Sequence, residues 1–301
     1  SYTAKPLTVN INYVYGAPKN GPVPSGDFAS GQAVPTKAVG VTNGTSYKTD
    51  VNSTATTTPI TVPTIPGYTP NVTTITPKFT VDGNGSPTEP EITVTYSASP
   101  DSATITYVDE SGNSLTPYIG SNPTSQNGYT DGVIMTTGPS VSGYTLVGFK
   151  YNDGSTNADL ADLSKALYTT GTDKIEFVYA PNDQEVKIHY LYSSDDDSPK
   201  NGEVPVADFG GVTPQDSATG KSNTIGASIN VPTIPGYTAS VSQVTPDFAI
   251  QANNTPNGQL VTSDIDVTYT ANNQNAEISY LIASRDSNGN PEFTHLVPAT
   301  S

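Results

Sequence analysis

Two histidines, His189 and His295, are the chain's side chains with an ordinary pKa near neutrality, and they fall in different segments. His189 sits between Ile188 and Tyr190 in an alternating apolar and polar run, which predicts an exposed place on a sheet face rather than a general base. A Ser–His–acid site has no sequence support. No Gly-x-Ser-x-Gly elbow occurs, and Gly138-Pro-Ser-Val-Ser-Gly143 has the wrong spacing. No glycine loop of the phosphate-cradling type is present either. Carboxylate pairs for glycoside cleavage are assembled by folding, at separations of ~5 to 9 Å, so sequence spacing does not reveal them. The acidic residues read as solvated surface.

Calcium takes hard oxygen ligands, and two stretches offer them: Asp195-Asp196-Asp197 and Asp286-x-Asn288-x-Asn290. The second lacks the loop glycine and closing glutamate of an EF-hand. The first has no counterpart in the related segment near Pro18, so it looks like an insertion in a loop. A structural calcium ion is the alternative to an ordinary turn, and no other cofactor is indicated. Aromatic rings are the remaining chemistry, because a sugar's apolar face packs on a ring whose hydroxyl also hydrogen-bonds. Most of the 18 tyrosines occupy inward strand positions. Tyr118, Tyr129 and Tyr151 lie in turn-like settings and are the candidate ligand-binding residues.

The elements that hold these residues come in repeats. Val62-Pro-Thr-Ile-Pro-Gly-Tyr-Thr69 recurs letter for letter as Val231 to Thr238. Its flanks agree: Val9-Asn-Ile-Asn-Tyr13 matches Val186-Lys-Ile-His-Tyr190, and Ile92-Thr-Val-Thr-Tyr96 matches Ile265-Asp-Val-Thr-Tyr269. These mark two copies of a type A unit, over residues 1–100 and 183–273. Between them, residues 101–182 form a related type B unit, opening with Ala103-Thr-Ile-Thr-Tyr107 and closing with Ile175-Glu-Phe-Val-Tyr179. Residues 274–301 restart with Ala276-Glu-Ile-Ser-Tyr280 and read as the start of a further, truncated unit of type B.

Period-two alternation, as in Ile11, Tyr13 and Tyr15, predicts strands with one buried face. The best helix candidate is Asn157 to Tyr168, with Leu160, Leu163 and Leu167 at helical spacing and Gly171 to stop it. Small strand-rich α+β domains, repeated end to end, are the expected fold class.

Composition narrows the function. Lys and Arg number 12 against 28 Asp and Glu, for a net charge of −16, which disfavours nucleic acid and anionic bilayers as partners. With no cysteine there are no disulfides, thiolate metal sites or Cys nucleophile. No apolar run reaches the ~18 residues of a membrane span. No secretory leader precedes the first strand, so a signal peptide and anchor are expected outside these residues.

Ala103-Thr-Ile-Thr-Tyr-Val-Asp-Glu-Ser-Gly-Asn-Ser-Leu115, then Gly143-Tyr-Thr-Leu146 and Ile175-Glu-Phe-Val-Tyr179, resemble the mucin-binding (MucBP) domain. The type A units resemble its companion in the Mub-type repeat. Such repeats occur in cell-wall-anchored adhesins of lactobacilli and related Gram-positive bacteria. The resemblance implies a β-grasp (ubiquitin-like) fold for each unit and an elongated rod. It also implies an extracellular, cell-surface location and adhesion to host mucin glycoproteins, with immunoglobulin binding in some relatives. It supplies no motif of ligand-contacting residues. The expected function is therefore a non-enzymatic adhesin segment, a monomer within a longer repeat array, in which repetition supplies avidity. The alternatives are binding of immunoglobulin or another host protein through a sheet edge, a purely structural stalk, and, furthest from the residues, a hydrolase.

Overall fold

The computed structural model describes residues 3–194, 200–252 and 258–296. Contacts divide the chain into two compact units, Ser1–Asn182 with Ile250–Leu260, and Asp183–Ala249 with Val261–Ser301.

The first unit holds two principal sheets. One is built from β1 (Pro6–Tyr15), β2 (Lys37–Val41), β3 (Tyr68–Pro70) and β4 (Glu91–Ala98), in the order β2-β1-β4-β3. The other uses β5 (Pro100–Asp109), β6 (Ser125–Tyr129), β7 (Tyr144–Tyr151) and β8 (Asp173–Pro181), in the order β6-β5-β8-β7. In the second unit β9 (Asp183–Tyr192), β10 (Ser217–Lys221), β11 (Tyr237–Ala239) and β12 (Asp264–Ala271) repeat the plan as β10-β9-β12-β11. A hairpin of β13 (Tyr280–Arg285) and β14 (Pro291–Leu296) follows.

In each sheet the first and last strands pair in parallel at the centre, and the outer strands run antiparallel to them. The register carries the repeat into three dimensions. Ile11 faces Ile92 and Tyr15 faces Tyr96; Ile188 faces Ile265 and Tyr192 faces Tyr269; Ile105 faces Ile175 and Tyr107 faces Phe177. These alternating residues form one face of each sheet and lie in its core, with the intervening Thr and Asn mostly outward.

The helix expected over Asn157–Tyr168 is a single 3-10 segment, Leu160–Lys165, and no α-helix occurs among the described residues. Asp159 caps it by accepting from the Ala161 amide. Both ends of the expected helix are claimed by bridges, Asn157 to Phe149 and Leu167 to Val133. Extended backbone at those positions leaves too few residues between them for a stable α-helix. The sheets are strand-rich without the helical layer that an α+β domain would carry.

With no helix to cover the core, tyrosines tie down the connecting segments. Tyr13, Tyr107 and Tyr190, one per first strand, donate to the carbonyls of Pro35, Pro123 and Gln215 at 2.9, 2.6 and 3.0 Å. Tyr96, Tyr179 and Tyr269, one per last strand, donate to Pro63, Pro139 and Pro232 at 2.5, 2.7 and 2.6 Å. A carbonyl in an irregular segment has no ladder partner, and the tyrosine hydroxyl supplies one. Burial pushes Tyr13, Tyr96, Tyr107 and Tyr269 up to about 12 and raises Tyr179 as well.

Each second strand carries a glycine under an aromatic ring. A Cβ on Gly40, Gly128 or Gly220 would fall 2.7 Å from Phe79, 2.1 Å from Tyr168 and 2.2 Å from Phe248 respectively. The missing side chain is the slot in which the ring lies.

Candidate functional site

The three candidate tyrosines lie on separate elements of the second sheet. Tyr118 ends a 3-10 turn at Thr116–Tyr118, and its half-buried ring packs on Tyr144 with centroids 6.0 Å apart. Tyr151 ends β7; its hydroxyl donates to the Leu167 carbonyl and lies 3.5 Å from Asp173. Burial first, and then the neighbouring Asp173 charge, raise that phenol above its ordinary range. Tyr129 ends β6, an outer strand of the sheet, and is 58 % exposed. β6 and β7 are opposite edges, separated by β5 and β8, so strand spacing puts Tyr129 and Tyr151 roughly 14 Å apart in the sheet's width.

Each of these two edge tyrosines lines a groove. Tyr129 shares one of about 530 Å³ with Pro100, Asp101, Ser102, Asn127 and Gly128. Strand pairing builds it: Tyr129 faces Pro100, Gly128 faces Asp101 and Asn127 faces Ser102. An exposed ring therefore shares one face of a short ladder with a hydroxyl and an amide, Ser102 and Asn127, while Asp101, paired with Gly128, belongs to the other face on the side of Tyr168. Below it, Tyr168 packs into the Gly128 slot, and its buried hydroxyl has no hydrogen-bond partner among the described residues. The groove of Tyr151, about 490 Å³, is lined by Phe149, the 154–158 turn, Asp162 and Lys165. There the phenol is already committed to Leu167, which leaves its ring edge rather than its hydroxyl for a ligand.

Two features escaped the sequence reading. Asp173 is fully buried, and its carboxylate accepts from the Thr169 amide at 2.7 Å, the Thr169 hydroxyl at 2.8 Å and the Asn152 side chain at 2.9 Å. Those donors satisfy it where water does not reach, and it pins the segment before β8. The second is a junction within the first unit. The Tyr68 hydroxyl donates to Asp131 at 2.8 Å, Lys19 lies 3.7 Å from the same carboxylate, and Lys19 also pairs with Asp27 at 3.0 Å. Asp27 accepts from Tyr15 at 2.8 Å, and the Tyr15 and Tyr68 rings pack at 4.7 Å. Lys19 and Tyr15, by their hydrogen bonds, hold the Asp27 carboxyl below the usual range. Gly138–Gly143 is the type B version of the Pro-Gly-Tyr turn: the Tyr144 amide donates to the Val141 carbonyl as the Tyr68 amide donates to that of Ile65.

Asp195, Asp196 and Asp197 lie outside the described residues, as does the His295 side chain. His189 is half-exposed on the outer face of β9 and meets Asp264 at 3.1 Å. The Asp286 motif closes on itself: the carboxylate accepts from the amides of Asn288 and Asn290 and from the Asn290 side chain. Asp82 and Asp109 make the same turn, with Gly85, Gly112 and Gly289 at φ of 81°, 85° and 84°. Among the described residues no three His, Asp or Glu side chains group as metal ligands, and no helix is long and apolar enough to cross a membrane.

No family model and no curated protein matches the chain. Among solved structures it is similar to Mub-RV at 16 % identity, with a TM-score of 0.16, over 57 % of this chain and 99 % of that one. It is similar also to the type 2 repeat of the mucus binding protein MUB from Lactobacillus reuteri, at 15 % identity and a TM-score of 0.16, over 57 % of this chain and 100 % of that one.

Proposed function

We propose that the chain is a segment of an extracellular bacterial adhesin that binds mucin glycoproteins through repeated modules and catalyses no reaction. The observation that carries this reading is the β5–β6 groove, where an exposed tyrosine ring shares a face with Ser102 and Asn127. A sugar stacks its apolar face on such a ring and hydrogen-bonds the flanking oxygens and amide. The MucBP-like residues 103–115 supply the hairpin that begins in β5, and they support mucin as the source of the glycan. The strand order with a parallel central pair supports a β-grasp plan for each of the units 1–100, 101–182 and 183–273. On this reading the further parts lie outside these residues: more repeats, a wall anchor, and the avidity that linked weak modules provide.

A second reading is favoured by β6 itself. It is an outer strand with one partner, and such an edge can accept an added strand from immunoglobulin or another host protein. Binding of the intact chain to immobilised mucin, to periodate-oxidised mucin and to immunoglobulin separates the readings. Loss of binding on oxidation is expected; retained binding, or preference for immunoglobulin, would move the function to the strand edge, and silence on every surface would leave a stalk.

A further inference from the structure

The same eight residues, Val-Pro-Thr-Ile-Pro-Gly-Tyr-Thr, stand at 62–69 and 231–238 in identical local settings but with different cover. In both copies the tyrosine amide donates to the isoleucine carbonyl, and the glycine carbonyl accepts from the joint residue that follows the last strand, Ser99 or Asn272, each at 2.8 Å. Both tyrosine rings pack on the tyrosine that ends the first strand, Tyr68 on Tyr15 at 4.7 Å and Tyr237 on Tyr192 at 4.8 Å. In both a lysine lies over that ring and pairs with an aspartate that also accepts from the ring's hydroxyl: Lys19 with Asp27, and Lys200 with Asp208.

The first copy is covered by the type B sheet unit. A Cβ on Gly67 would meet the methyls of Thr130 and Thr170 at 2.6 and 2.7 Å, the Thr130 amide donates to Ser99, and Asp131 receives the Tyr68 hydroxyl. Tyr68 is buried. Among the described residues of the second copy, nothing lies within 4 Å of a Cβ on Gly236 and nothing partners the hydroxyl of the half-exposed Tyr237.

We infer that the face formed by Gly236, Tyr237, Tyr192 and Lys200 is a docking surface for a further type B unit, one that presents a Thr-Asp-Gly turn like Thr130-Asp131-Gly132. The first copy states the terms of the fit. The glycine leaves room for the threonine methyl, the lysine sets a positive charge beside the aspartate, and the tyrosine hydroxyl has a carboxylate to donate to. The joint is already set for such a guest, because Asn272 makes the bond to Gly236 that Ser99 makes to Gly67.

Hydroxyl-radical labelling read by peptide mass tests this in the full chain, since the sequences flanking the two copies differ. In the unmodified chain Tyr237 should oxidise faster than Tyr68; equal rates would overturn the inference. Asp131→Lys should raise Tyr68 toward the Tyr237 rate, and an unchanged Tyr68 would show that the aspartate turn is not what holds the cover. In an extended chain with residues 276–301 replaced by a second copy of 103–182, Tyr237 should fall to the Tyr68 rate. An Asp→Lys change in the appended turn should restore it. A Tyr237 still labelled beside a folded appended unit would overturn the proposal. So would an appended unit that fails to fold, since the same sequence folds on the first face.

Discussion

The Tyr68 hydroxyl donates to Asp131 across 2.8 Å, and this bond joins two sheets that are separated in sequence by the Ser99 joint. Its counterpart Tyr237 has the same eight-residue setting without the acceptor. Tyr68→Phe should therefore destabilise the first unit by about 1–2 kcal/mol, the range for a hydrogen bond to a charged group that keeps some solvent access. Tyr237→Phe should change stability by less than ~0.5 kcal/mol, as surface changes do. Urea unfolding of the two variants, compared at the midpoint with unchanged slope, measures the difference.

The proline-carbonyl tethers make a similar contrast. Tyr96→Phe removes the donor to the buried Pro63 carbonyl, and leaving that acceptor unpaired should cost ~1–3 kcal/mol, whereas Tyr179→Phe, at the half-buried Pro139 carbonyl, should cost less. Tyr168→Phe removes a buried hydroxyl that has no partner among the described residues, so it should be neutral or stabilising. A Tyr168→Phe variant as damaged as Tyr96→Phe would show that the hydroxyl is paired in solution.

Gly128 and Gly220 test the ring slots. Alanine at either position puts a methyl within 2.1 or 2.2 Å of Tyr168 or Phe248, and the ring must leave its place in the core. Overpacking of this kind should cost ~1–3 kcal/mol. Gly83→Ala, with open space around its Cβ, is the control and should be nearly silent by thermal unfolding.

The sequence pattern made the strands legible because period-two alternation is a local signal. Ile11, Tyr13 and Tyr15 declare a buried face without reference to any other segment. The helix failed for the opposite reason: Leu160, Leu163 and Leu167 fit a helical stripe, but the bridges of Asn157 to Phe149 and Leu167 to Val133 are tertiary and invisible locally. Tyr129 was legible as a non-core tyrosine because Asn127 and Gly128 precede it in a polar run. The roles of Asp131 and Asp173 were not, since each depends on partners from other elements: Asp131 on Tyr68, and Asp173 on Asn152. Nor does composition show the amides of Asn288 and Asn290 aimed at the Asp286 carboxylate, which depend on the turn's backbone geometry.

Alkali should unfold the protein through its tyrosines. Burial pushes Tyr13, Tyr15, Tyr96, Tyr107 and Tyr269 up to about 12, above the value of about 10 they take when unfolded. A phenol whose folded pKa is raised binds its proton more tightly in the folded state, so its contribution is fully present below pH ~10 and lost as pH rises toward about 12. Because the chain has no Trp, absorbance near 295 nm reports tyrosinate alone. The expected result is a steep late phase between pH ~10 and 12 that coincides with loss of the far-ultraviolet strand signal. A smooth titration completed before any unfolding would contradict it.

Glycan recognition should depend on Tyr129 far more than on Tyr151. Tyr129 presents an exposed ring on the same face as Ser102 and Asn127, whereas the Tyr151 hydroxyl is held by Leu167 within the fold. Tyr129→Ala should weaken mucin binding by ~0.5–1.5 kcal/mol, the scale of one aromatic stacking contact, with the unfolding midpoint unchanged. Tyr129→Phe keeps the stacking surface and should retain most of the affinity. Tyr151→Phe should lower stability through the orphaned Leu167 carbonyl while leaving binding intact. The chain has one complete type B sheet, so avidity does not mask a single substitution, and surface-plasmon titration on immobilised mucin reads it directly. If Tyr129→Ala binds as the parent does while Tyr151→Ala abolishes binding at unchanged stability, the ligand sits at the β7 edge instead.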